Sequence, residues 1–191
     1  MPDWAWIVIV AVAVAVVAAA LWGIAAKRRS ERLRRRFGGE YERTIDRRGS
    51  RRAAEAELAE REERRDELRI RPLSPAARER YSASWRDVQA KFVDDPDGAI
   101  RDADGLVSAV MRDRGYPVED FEQRTADVSV DHPDVVENYR AAHGISMASA
   151  RDEASTEDVR QAIRHYRALF EDLLETNDGA ARGETVEGRT R

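Results

Sequence analysis

The chain has 191 residues and a net charge of −4, with 33 basic residues against 37 acidic ones. That leaves roughly one domain's worth of foldable sequence once an apolar amino-terminal run and two polar stretches are set aside. Cysteine is absent, which excludes disulfides, zinc–cysteine sites and thiol chemistry.

Local charge says more than the total. Residues 27–36 carry seven positive charges against Glu31 alone, and residues 37–70 carry nine against ten. Residues 71–175 carry fourteen against twenty-two. The order is a cationic collar, a mixed-charge spacer and an acidic body. Lys27 and Lys91 are the only lysines, a bias we read as that of a GC-rich bacterial genome.

Residues 1–3 precede an uncharged run from Trp4 to Ala26, rich in Ile, Val and Ala. A helix of that length is about 34 Å long, enough for a hydrocarbon core of about 30 Å. Trp4, Trp6 and Trp22 suit the two membrane interfaces. A cleaved signal peptide is the rival, but it needs a basic start and a shorter apolar core. The expectation is a transmembrane helix over 4–26.

Lys27, Arg28, Arg29, Arg32, Arg34, Arg35 and Arg36 flank only the carboxyl end of that run. The positive-inside bias then places the amino terminus outside and the rest in the cytoplasm, as a single-pass plasma-membrane protein. The collar is first an orienting signal and an anchor at the lipid bilayer, with binding of acidic lipids as the sharper reading. Nucleic acid is not an expected partner, because the body is acidic and carries no reader motif.

Leu33, Phe37, Tyr41 and Ile45 form a four-residue stripe that Gly38-Gly39 interrupts. The basic juxtamembrane segment, 27–49, therefore breaks near its middle. Gly49-Ser50 is a second break, with Ser50 placed to cap the next helix. Residues 50–74 form a charged helical spacer and linker. Opposite charges recur there at i,i+4, as in Glu57 with Arg61 and Glu60 with Arg64. Large apolar residues are few, so the reading is a solvated helix. A coiled-coil arm that makes a homo-oligomer is the alternative, although no heptad is sustained.

The acidic body, 75–175, reads as a small all-α bundle. Ser74 and Pro75 start a helix with the stripe Tyr81, Trp85, Val88 and Phe92. Ile100, Ala103, Val107 and Val110 mark a second helix, stopped at Gly115. A short helix follows the acids Glu119 and Asp120, and another follows Pro133. Ser155 or Thr156 caps a last helix bearing Val159, Ile163, Tyr166, Phe170 and Leu173. Residues 176–191 lack any apolar run and read as a disordered tail.

The blocks "RFGGEYERT", "RPLSPAARERY", "WRDVQAKFVDDP" and "RGYPVEDFEQRTADVSVDHPDVVENYRAAH" resemble a family of uncharacterised bacterial single-span membrane proteins, frequent in actinobacteria. Other members are expected to carry FGPEY where this chain has Phe37-Gly38-Gly39-Glu40-Tyr41. The resemblance implies membrane anchoring and assigns no activity and no functional residue.

No phosphate-binding loop, dinucleotide fingerprint, zinc-protease helix or nucleophile elbow is present. No cofactor and no catalysis are expected. His132 lies at a helix start, where capping accounts for it. His143 and His165 lie on separate helices that could face each other as a loose metal pair, or be ordinary histidines. Tyr116, Phe121 and Tyr139 flank the least regular segment and either line a groove for a partner protein's helix or complete the core. The function expected is a tethered protein-interaction module, with a structural, oligomerising envelope protein or a metal-dependent enzyme as alternatives.

Overall fold

The computed structural model describes residues 3–175, with side chains described from residue 12 onward. Among the described residues there are eight helices and no strand: α1 (Asp3–Phe37), α2 (Gly39–Arg48), α3 (Arg51–Glu67), α4 (Pro75–Lys91), α5 (Pro96–Arg114), α6 (Phe121–Asp131), α7 (Val136–Ser149) and α8 (Thr156–Glu175). The chain divides into two compact units, Met1–Ala59 and Glu60–Arg191, and the division falls inside α3. The tail expected over 176–191 lies outside the described residues.

The expected transmembrane helix is overturned. Among the described residues, no helix is long and apolar enough to cross a membrane. The helix that carries the apolar run, α1, continues without a break through the basic collar to Phe37. The single-pass plasma-membrane location, with its outside amino terminus and cytoplasmic body, falls with the span. Trp22 is exposed on α1, as are the basic side chains of the collar. Trp4 and Trp6 lie outside the residues whose side chains are described.

In the first unit α1 ends at Phe37, and Gly38 (φ 49°) turns the chain into α2. Gly49 (φ 69°) caps the carboxyl end of α2, its N–H donating to Ile45 O. Ser50 then caps α3, its Oγ accepting from Ala53 N at 3.2 Å. Both breaks fall where the glycines predict them. The spacer is not a freely solvated helix, however. Ala54 and Leu58 on α3 are buried, as are Leu33, Phe37, Tyr41 and Thr44. Few apolar residues suffice here because each is small or falls on one side of its helix.

The second unit starts at Glu60 rather than at residue 75. Arg61 Nη1 donates to Ser129 Oγ at 3.1 Å, and Arg65 Nε reaches both carboxylate oxygens of Asp131 at 2.7 and 2.8 Å. Arg71 N donates to Arg114 O, and Leu73 joins the core. Ser74 Oγ accepts from Ala77 N to start α4, Asp95 Oδ1 from Gly98 N to start α5, and Asp120 Oδ1 from Gln123 N to start α6. Ser155 and Asp158 cap α8 reciprocally, each accepting from the other's backbone N–H.

The core of this unit joins α4, α5, α7 and α8. Tyr81, Trp85 and Val88 of α4 are buried, with Phe92 packed at the edge. Ile100, Ala103, Val107 and Val110 of α5 are fully buried, as are Ala162, Tyr166 and Leu169 of α8. The "DVSV" stretch, Asp127–Val130, is helical within α6.

Candidate functional site

Two interior polar nodes account for most of the unusual chemistry of the second unit. In the first, Asp104 of α5 accepts from Tyr166 OH at 2.8 Å and lies 3.6 Å from His143 Nδ1. Phe121 stacks on His143 with centroids 3.8 Å apart and meets Tyr139 at 5.2 Å. Arg124 stands over the rings of Phe121 and Tyr139 and donates to Ser108 Oγ at 2.9 Å. Burial pushes the Asp104 carboxyl up, but the neighbouring His143, the Tyr166 hydrogen bond and nearby positive charge hold it below the usual carboxylate range. Burial, then the Asp104 charge, pushes Tyr166 far above an ordinary phenol.

In the second node, Tyr116 OH donates to Asp131 Oδ2 at 2.7 Å, beside the Arg65 fork. Burial, then the Asp131 charge, keeps Tyr116 firmly protonated. Arg114 donates to Leu173 O at 2.9 Å and lies 3.4 Å from His132 Nε2, while His132 Nδ1 bonds Asp172. Arg114 thus satisfies an orphan carbonyl in the last turn of α8.

These positions correct the expected partner surface. Tyr116 is 2 % exposed and Tyr139 0 %, and Phe121 is half-buried against His143. The three rings pack at the junctions of α6 with its neighbours. His132 is also corrected, because it ends α6 as its C-cap instead of starting the next helix, and its buried side chain crosses to Asp172 of α8. His165 Nδ1 lies 3.1 Å from Asn138 Oδ1, apart from the Asp104–His143 contact. Among the described residues, no group of three or more His, Cys, Asp or Glu is placed to hold a metal ion.

An open concavity of this unit lies between α4 and α5. It encloses about 510 Å³ and is lined by Val88 and Lys91 from α4 and by Asp102, Gly105, Leu106 and Ala109 from α5. Lys91 Nζ bonds Asp102 Oδ2 at 2.7 Å and closes one end. Gly105 is mid-helix, and a Cβ built there would meet nothing within 4 Å. A glycine in a helix interior costs about 1 kcal/mol relative to alanine, and no neighbour in this fold requires it. Nothing in the sequence marks this groove, because Gly105 is one small residue inside a strong stripe.

In the first unit the collar is exposed around α1. Lys27 faces Glu31 at 4.0 Å and Arg34 pairs with Glu42 at 2.9 Å. Ser30, inside the collar, is buried. Its Oγ donates to Glu55 Oε1 at 2.5 Å, where Tyr41 OH also donates at 2.7 Å and Arg51 Nε at 3.1 Å. Burial pushes Glu55 up, but these donors more than offset it and hold the carboxyl below its usual range. No spacing in the sequence links Ser30, Tyr41, Arg51 and Glu55.

No family model, curated protein or solved structure matches this chain.

Proposed function

We propose that the chain is a non-catalytic interaction module whose second unit holds a helical segment of another protein in the groove between α4 and α5. The observation that carries this reading is Gly105, exposed at the floor of that groove with open space where a side chain would stand. Beside it Ala109 is also small, so a partner backbone can come close. Val88 and Leu106 supply apolar contact. Helix-in-groove recognition works in this way, with a few apolar anchors and a polar rim.

The interior nodes support the same reading from the other side. Tyr166 with Asp104, and Tyr116 and Arg65 with Asp131, tie helices together inside the bundle and so support the frame that shapes the groove.

The test uses a photo-crosslinking residue at Leu106 in the native cell, followed by a synthetic peptide from the captured segment. That peptide should gain helical circular dichroism on binding the purified chain. Gly105→Leu should abolish capture and binding while the chain still folds. Gly144→Leu, at the other open helical glycine of this unit, should leave both intact. Capture that survives Gly105→Leu sinks the proposal.

A further inference from the structure

The first unit holds a second concavity, unrelated to the groove just described. It encloses about 510 Å³ between α1 and α3 and is lined by Trp22, Ala25, Ala26, Arg29, Arg52, Glu55 and Ala56. One side is apolar: three alanines and an indole that is 76 % exposed. The other carries two guanidinium groups on different helices. Neither Arg29 nor Arg52 forms an ion pair or hydrogen bond among the described residues.

Glu55 would ordinarily cancel such a site. Here its carboxylate is the acceptor for Ser30, Tyr41 and Arg51, so its charge is already answered by donors of its own. The two free guanidinium groups keep their positive potential, which the surrounding collar reinforces. Further apolar side chains of α1, including Leu21 and Ile24, are also exposed.

A fully polar anion would leave the indole and alanines uncovered, and a neutral hydrocarbon would leave the guanidinium groups unmatched. We propose that this cleft binds an anionic amphiphile, its phosphate or carboxylate head between Arg29 and Arg52 and its hydrocarbon along Trp22, Ala25, Ala26 and Ala56. Guanidinium suits such a head because its planar fork makes paired, charge-assisted hydrogen bonds. The head can come from a free amphiphile or from a lipid held in a bilayer, and the two sources present the same chemistry.

Calorimetric titration of the full chain tests this with dodecyl phosphate kept below its micelle concentration. One molecule should bind per chain, and Arg29→Gln with Arg52→Gln should weaken it about tenfold or more. Arg28→Gln with Arg35→Gln removes the same charge from the collar outside the cleft and should change affinity far less. Dodecyl maltoside and inorganic phosphate, which each offer half of the ligand, should bind much more weakly. Vesicles of phosphatidylglycerol and of phosphatidylcholine separate the sources. Cleft-dependent binding to phosphatidylglycerol without binding of dodecyl phosphate assigns the head to a bilayer, and the reverse assigns it to a free amphiphile. Equal binding of dodecyl maltoside, equal loss in the collar variant, or binding to neither anionic probe overturns the proposal.

Discussion

Trp85 of α4 and Phe170 of α8 stack with ring centroids 4.8 Å apart and planes 20° from parallel. The contact joins two helices on opposite sides of α5 in the chain, and Trp85 is almost wholly buried. Trp85→Ala should cost about 3–5 kcal/mol, a large share of the ~5–15 kcal/mol that a domain possesses. Thermal melting by circular dichroism should show a much lower midpoint. Trp85→Phe should cost far less, because it keeps the stack and removes a buried indole N–H that has no partner. Equal damage from both changes would refute this account.

Two glycines on one helix should respond to alanine with opposite signs. Gly115 ends α5 at φ 102°, and a Cβ there would lie 2.6 Å from Arg69 O. Gly115→Ala meets both backbone strain and a backbone oxygen, so it should destabilise by about 1–3 kcal/mol. Gly105→Ala meets nothing and gains helix propensity, so it should stabilise by up to about 1 kcal/mol. Chemical denaturation of the two variants checks both signs.

Those glycines show what the sequence makes legible. Gly115 follows the four-residue stripe Ile100, Ala103, Val107 and Val110, so its role as a stop is readable from position alone. The caps at Ser74, Asp95, Asp120 and Ser155 are equally local, and the core stripes of α4, α5 and α8 follow from periodicity. Groups that act across the fold were not readable. Arg65 sits among i,i+4 charges on a helix that looks solvated, yet its partner is Asp131. Tyr116 and Tyr139 look equally apt for a groove or a core, because a pattern of aromatics does not state which side faces solvent. Nothing local marks the Ser30–Glu55 network, whose members come from α1, α2 and α3.

Two carboxylates of the bundle should bend stability against pH in opposite directions. Asp104 has a folded pKa below its unfolded value. Its contribution is therefore present above the unfolded pKa and is lost as pH falls through the folded one. Asp127 is buried and pushed up chiefly by that burial, with only a Gln123 amide donating to it at 2.8 Å. Ionising it opposes folding, so its penalty appears as pH rises above its unfolded pKa. Asp104→Asn should lower the melting midpoint at pH 7, with a smaller difference in acid. Asp127→Asn should raise the midpoint at pH 7, and that gain should shrink in acid. Parallel shifts at every pH would contradict both assignments.

The boundary of the second unit makes the last prediction. A bundle cut at residue 75 would discard Arg61, Arg65, Arg71 and Leu73, and so remove every partner that the preceding segment supplies. Asp131 would then lose its guanidinium while Tyr116 still donates to it, leaving a carboxylate in a half-buried site without its counter-charge. Removing one partner of a partly buried, hydrogen-bonded charge pair costs about 2–5 kcal/mol. A fragment of residues 60–175 should therefore melt cooperatively, and one of residues 75–175 should melt much lower or fail to fold. Arg65→Met in the full chain separates the charge pair from the rest of the segment. If the pair dominates, this variant should reproduce most of the loss in the short fragment. If Leu73 and the backbone bond from Arg71 to Arg114 dominate, it should reproduce little. Equal melting of the two fragments would return the boundary to residue 75 and make the Arg65–Asp131 contact incidental.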